Sequence, residues 1–186
     1  MSDIKDRIVE RFVNKFRKLR EANTEMLRQS KEGRKELTSR KLPDRQSFAV
    51  NQYSGSHYDV VNKNLRKPSK DKIKSSHASN VASGVKSAMR PTQSDMNVYR
   101  GVKSSKHVGD AKAFSSTSLS PETARSFAGE KGHVMKLRVK KGTPVAYGDV
   151  SSEKEVILPP GKIGINKKSK SGSYTYHHGT YEPENK

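Results

Sequence analysis

Cysteine is absent from the 186-residue chain, so neither a disulfide nor a thiolate metal site holds it together. Apolar residues are also scarce. They make up 30% of the chain, and the mean hydropathy of −0.96 implies a lean core for this length. No apolar stretch reaches membrane-spanning length, and the segment from Met1 to Arg20 is too charged to hold the apolar centre of a secretory leader. A soluble chain without a signal peptide is expected. The third shortage is of acids: 19 Asp and Glu stand against 38 Lys and Arg, a net charge of +19. Such an excess attracts polyanions, whether nucleic acid, acidic protein or membrane phosphate. It restricts the partner more than the chemistry. Metal chemistry has little support: His177-His178 has no acidic or thiol companion at ligand spacing and reads as a solvated strand end.

The length suits one domain with an appended arm. Residues 3 to 42 read as helix, because Ile4, Ile8, Phe12, Phe16 and Leu19 recur every three or four positions above a face rich in Lys and Arg. This arm (1–42) either packs on the domain or docks on nucleic acid, a membrane or a partner protein. Residues 43 to 67 open as a loop into a helix, broken at Ser54-Gly55-Ser56 and resumed by Tyr58, Val61 and Leu65. The Lys- and Ser-rich stretch 68 to 80 is expected to be a surface loop, followed by a short helix near 78 to 90 that ends before Pro91. From Asn97 the texture turns to strands, in NVYRGV, AFSSTSLS, HVMKLRVKKG, EVILPPG and YTYHHGTYEP, while PETARSFAG reads as a helix beginning at Pro121. Helices first and strands afterwards make an α+β domain over 43–181, with 182–186 as a frayed tail.

Three short motifs can carry chemistry. In VYRGV, Arg100 sits within an apolar strand, where a guanidinium either lies at a sheet edge or is held by an anion. In FSSTSLS, Ser116 and Ser118 share a face with Phe114, and Thr117 points the other way. Inward hydroxyls can orient a neighbouring carboxylate, although a Ser/Thr-rich edge strand explains them equally. In SSEKEVILPPG, Glu153 and Glu155 alternate with Lys154 at the mouth of an apolar run. Side by side on one face, one carboxylate can stabilise a developing cation while the other meets a nucleophile. A solvated Glu-Lys-Glu turn is the plain alternative.

Taken in this order, Arg in a first strand, Ser-Thr-Ser in a second and Glu-x-Glu before a third resemble the R-S-E class of mono-ADP-ribosyltransferases. These are the arginine-directed toxins and phage enzymes of the ADP-ribosyltransferase exoenzyme family. YSGSHYDVVNKNLR, Tyr53 to Arg66, is similar to that family's NAD-side helix, with its Tyr-x-Gly-x-x-Tyr-x-x-x-Asn and following Leu-Arg. The resemblance spans residues 48 to 165. It implies two packed antiparallel sheets around an NAD cleft, with helices on the N-terminal side. By the same resemblance Arg100 holds the phosphates or ribose of NAD, with Gly101 beside it, and Tyr53, Tyr58 and Asn62 line the cleft. Ser116 orients the catalytic glutamate, Thr117 and Ser118 support the strand, and Phe127 packs against nicotinamide. Glu155 becomes the catalytic residue that binds the nicotinamide ribose and stabilises its oxocarbenium. Glu153 engages the acceptor, helped by Tyr147 in the YGDVSS loop. A second phosphate-binding arginine common in the family has no direct counterpart after the Ser-Thr-Ser helix, where Lys131 and Arg125 are the candidates.

The implied reaction moves ADP-ribose from NAD, a co-substrate, to an arginine of a target protein without a metal. Nicotinamide leaves as a neutral molecule from a cationic precursor, so the catalyst must mainly position NAD and stabilise positive charge. The expected partner is a target protein, acidic or nucleic-acid-associated in keeping with the charge. The same chemistry on a nucleic-acid acceptor and a non-catalytic basic binding module are the alternatives. A monomer acting in the cytoplasm of a target or host cell, as a phage protein or an injected effector would, completes the expectation.

Overall fold

The structure is a computed structural model that describes residues 42–148 and 153–184. The N-terminal arm expected over 3 to 42 and the segment 149–152 lie outside those residues, Leu42 apart. Helix α1 (Asp44–Gln52) starts behind Pro43, whose carbonyl accepts from Gln46 N at 2.8 Å and Ser47 N at 3.0 Å. Ser54-Gly55-Ser56 does not break the helix. The chain widens there into a π-helical turn (Tyr53–His57) and continues as α2 (Tyr58–Arg66). Such turns insert one extra residue per bond and swing side chains out of the α-helical pattern.

Helix α3 (Lys72–Ala88) is longer than expected and begins where a loop was anticipated. Two local features explain it. Asp71 caps the start, accepting from Ile73 N at 3.0 Å and Lys74 N at 3.2 Å. Ala78, Val81, Ala82, Val85 and Ala88 form the buried stripe, so the Lys and Ser residues that suggested a loop are simply its wet face. These helices pack through Val50, Tyr53, Val61 and Val85 onto Phe114, Ala146 and Ile157 of the sheet.

The strands are β1 (Arg90–Pro91), β2 (Met96–Val102), β3 (Ser115–Ser118), β4 (His133–Val139), β5 (Pro144–Tyr147), β6 (Glu155–Leu158), β7 (Gly161–Ser171) and β8 (Tyr174–Pro183). Helix α4 (Pro121–Ala128) follows β3, with Ser120 as its cap and Pro121 at its first turn. The strands hydrogen-bond in the order β1-β5-β6-β3-β2-β4-β8-β7. The α+β class and the N-terminal helices are as expected, but the strands form one mixed sheet rather than two antiparallel ones, because β4 and β8 are parallel.

The join between the halves is narrow. Seven residues of β2 are in register with β4, whereas β2 meets β3 at a single pair, Tyr99 opposite Ser118. Beyond that rung the two strands diverge, and the halves fold together over a shared core of Val98, Met135, Leu137 and Tyr181 against Val145, Val156 and Leu158. The gap that this divergence opens holds the site. Strand pairing in β8 continues to Pro183, opposite Gly161, so Glu182 and Pro183 belong to the sheet rather than to a tail. Among the described residues no helix is long and apolar enough to cross a membrane.

Candidate active site

Strand β6 is short and wholly buried, with β3 on one side and β5 on the other. Its first residue is Glu155, in register with Ser118 and only 5% exposed. A carboxylate so placed needs donors. Ser54 Oγ, on the π-helical turn, donates to Glu155 Oε2, and the Ser116 hydroxyl bonds the same group. Burial nevertheless dominates and pushes the Glu155 carboxyl above its ordinary value, against the two hydroxyls and aided by the charge of Glu153.

The hydroxyl network runs further into the helices. Tyr53, fully buried, is bonded to Ser116 and accepts from Asn62 Nδ2 at 3.1 Å, and its ring stands edge-on to Phe114 with centroids 5.4 Å apart. Burial raises its phenol above the ordinary value. Tyr53 therefore supports the site from beneath. It does not line the cleft as the resemblance implied, because the π-turn aims its side chain into the helix–sheet core.

Gly148, at the end of β5, is where the backbone passes directly over the carboxylate. A Cβ there would lie 2.3 Å from Glu155 Oε2 and 3.1 Å from Ser54 Oγ, so only a glycine leaves the carboxylate its place. Gly148 N also donates to the Glu155 carbonyl at 3.1 Å.

Glu153 is held differently. The turn that carries it is clamped to the end of β3: Ser118 Oγ donates to the Glu153 carbonyl at 2.6 Å and Leu119 N to the Lys154 carbonyl at 3.1 Å. Lys154 takes a left-handed φ of 47°, which reverses the chain between the two glutamates. Thr117 Oγ1 donates to the Val156 carbonyl at 2.6 Å and locks β3 to β6.

Across the cleft, Arg100 is fixed by Nη1, which donates to the Asp110 carbonyl and to Ser115 Oγ, both at 3.0 Å. Burial holds its guanidinium below the ordinary value. The Asp110 carboxylate in turn takes Arg66 at 3.1 Å, which brings a second guanidinium alongside. Gly101 lets α4 approach β2, since a Cβ there would sit 1.8 Å from the Ala124 carbonyl oxygen. That approach puts Phe127, 55% exposed, at the rim opposite Tyr58, 54% exposed.

The result is one cleft of about 380 Å³. Arg100, Gly101, Tyr58, Asn62, Ser116, Thr117, Phe127, Glu153 and Glu155 all line it, with Gly55 of the Tyr-x-Gly motif, as do Ser54, Tyr99 and Thr123, to which no role was assigned. Asn62 Oδ1 is buried there with no hydrogen-bond partner among the described residues. Ser54 was within reach of sequence reasoning, being the residue after Tyr53 in the Tyr-Ser-Gly motif, but its target is 101 residues away.

Four further residues are placed differently from expectation. Tyr147 is not in the loop after β5. It is in β5 itself, paired with Val156 and packed in the core, and it does not line the cleft. Arg125 is turned away from the cleft toward Tyr176 Oη, at 3.2 Å, and Glu122 Oε1, at 2.9 Å. Lys131 occupies a left-handed turn after α4 and does not line the cleft. His177, read as solvated, is buried, with Nε2 3.1 Å from His133 Nδ1. No group of three metal-ligating side chains occurs among the described residues.

The profile of the ADP-ribosyltransferase exoenzyme family matches residues 29–172, most of the chain. The chain belongs to that family. Solved ADP-ribosyltransferases share its fold at low identity. The toxin Plx2a from Paenibacillus larvae aligns over 85% of this transferase and 96% of its own chain, with a TM-score of 0.66 at 16% identity. Exoenzyme S from Pseudomonas aeruginosa, solved with human 14-3-3 protein beta and carba-NAD, aligns over 74% of each chain with a TM-score of 0.59 at 17% identity. The Vis toxin of Vibrio splendidus in complex with agmatine aligns over 76% of each chain, with a TM-score of 0.54 at 19% identity. A comparison with curated proteins finds no significant match.

Proposed function

We propose that this ADP-ribosyltransferase uses NAD to modify an arginine of a target protein, releasing nicotinamide, and that Glu155 and Glu153 divide the work. The observation that carries the reading is the unlike setting of two carboxylates in one cleft. Glu155 is buried and clamped by hydroxyls, whereas Glu153 sits on a main-chain-clamped turn at the mouth. The buried carboxylate is suited to face positive charge on the ribose, where low local dielectric strengthens the attraction. A guanidinium is a poor nucleophile until it sheds a proton, and Glu153 supplies an acceptor for that proton.

The lining of the cleft is in keeping with NAD as substrate. Arg100 offers a fork to the diphosphate or ribose, and Arg66, tied to it through Asp110, supplies the second cation in place of Arg125 or Lys131. Asn62 Oδ1 is a buried acceptor that a donor hydroxyl or amine would satisfy. Tyr58 and Phe127 offer flat faces at the rim to an aromatic ring. An arginine acceptor is also in keeping with the agmatine complex of the Vis toxin, since agmatine is a guanidine.

Labelled NAD, supplied with agmatine, with a protein lysate or with RNA, tests the reading. Glu155→Ala is expected to abolish transfer, and Glu153→Gln to lose transfer to guanidines while keeping NAD hydrolysis. Wild-type transfer by the double variant would rule out the assignment. Label in RNA instead of protein would replace the arginine acceptor with a nucleic-acid one.

A further inference from the structure

The far half of the sheet carries a second organised surface, separate from the cleft. Strands β4, β8 and β7 lie side by side, with Lys136, His178 and Lys167 in one register row and Val134, Tyr176 and Ser169 in the next but one. Side chains alternate along a strand, so Tyr174, Tyr176, His178 and Thr180 of β8 share one face, while His177 and Tyr181 turn into the core. Two residues of strand advance about 7 Å, and the Tyr176 and His178 rings stand 6.5 Å apart, tilted by 33°. Both rings are partly buried, neither enclosed in the core nor fully exposed.

The rings are fixed in place. Arg125 of α4 donates to Tyr176 Oη at 3.2 Å, and His178 Nε2 lies 3.0 Å from Ser169 Oγ. Tyr174 and Tyr176 pack at the edge of the Tyr99–Ala124–Ala128–Val134 cluster under α4. Lys136 and Lys167 flank His178 and pair with no carboxylate among the described residues. Two acids at the margins are already paired, Glu122 with Arg125 and Asp95 with Arg138. None of these side chains lines the cleft.

Cations beside a short ladder of flat rings suit a ligand that is both anionic and aromatic. An acidic peptide would use the lysines and leave the rings unused. A phosphodiester chain with unpaired bases uses both, its bases stacking at about the strand's two-residue spacing. We propose that this face of β4, β8 and β7 binds single-stranded nucleic acid, with bases on Tyr176 and His178 and phosphates at Lys136 and Lys167. The surface lies across α4 from the cleft, so it tethers the enzyme to nucleic-acid-bearing targets without contributing to the reaction.

The test is fluorescence anisotropy of the full chain with a labelled oligouridylate, across a salt series. The expected result is at least tenfold weaker binding by Lys136→Glu/Lys167→Glu, with a salt slope shallower by about 1.4, the share of two phosphates on a single strand. Tyr176→Ala should weaken binding by roughly fivefold or more. Both variants should keep wild-type NAD hydrolysis, which shows that they fold. Lys72→Glu/Lys86→Glu makes the same charge change on α3 and should bind nearly as wild type. The proposal is overturned if the α3 pair loses as much affinity, if Tyr176→Ala binds normally, if the wild type does not bind, or if polyglutamate of matched charge competes as well as the oligonucleotide. The last result would assign the face to an acidic protein.

Discussion

Strands β6 and β7 are neighbours in the chain and opposites in their surroundings. β6 has partners on both sides and every one of its four residues is buried. β7 is an edge strand of eleven residues with one partner, and none of them is fully buried. In β6 a carboxylate is removed from water, held by hydroxyls and pushed up in pKa. In β7 the charges are lysines that stay solvated, which also discourages pairing with another sheet edge. The contrast is between a carboxylate held where water is excluded and lysines left where it is not.

The largest effect that can sharpen this contrast is at Glu155. Glu155→Gln should reduce transfer by about 10²–10³-fold, the scale for removing a preorganised charge stabiliser. Its stability should move the other way. A folded-state pKa above the unfolded value means that the proton stabilises the fold, a contribution fully present below the unfolded pKa and lost as pH rises through the folded one. Gln keeps that neutral form, so the variant should melt at or above wild type at pH 7, with the difference closing as the pH falls through the raised pKa. The acid limb of the wild-type pH–rate profile should lie above the ordinary carboxylate range. A variant that melts lower at pH 7 would show that Glu155 is a structural charge.

Next come two glycines. Gly148→Ala must displace the Glu155 carboxylate and should cost at least roughly tenfold in transfer. Gly164→Ala in β7 puts its Cβ 3.5 Å from Thr180 Oγ1, an ordinary contact, and should leave transfer unchanged. Equal losses would break the comparison. Ser118→Ala removes the hydroxyl that holds the Glu153 carbonyl and should lower transfer to guanidines by about fivefold, the worth of one net hydrogen bond of about 1 kcal/mol. NAD hydrolysis should fall less, which marks a positioning role on the acceptor side. The smallest effect is at Lys170, exposed in β7. Lys170→Ala should move the melting temperature by no more than about 2 °C, as measured by calorimetry.

Several elements were legible before any coordinates. Pro121 at the head of PETARSFAG marks α4, and the apolar runs around Val98, Leu137 and Ile157 mark the strands through the centre of the sheet. The misses share a cause. The start of α3 has the composition of a loop because its solvent face is Lys and Ser, and only its packing partners reveal the Ala and Val stripe. β7, an edge strand with no fully buried residue, carries little apolar signal and is recognisable only from its ladder with β8. The parallel pairing of β4 with β8 follows from how distant segments meet, which local periodicity does not encode.

The site divides along the same line. Sequence alone determined which residues could do the chemistry: Arg100, Ser116, Glu153 and Glu155 follow one another in short motifs, and chemical type and spacing are local properties. It also determined that no disulfide braces the fold and that the surface is basic. Only the tertiary structure decided that Ser54 reaches Glu155, that Gly148 makes room for it, that Tyr147 is core, and that Arg125 faces Tyr176 while Arg66 stands near Arg100. Those outcomes depend on contacts between distant segments and on the water they exclude, and both arise only when the two halves of the sheet close around their single shared rung.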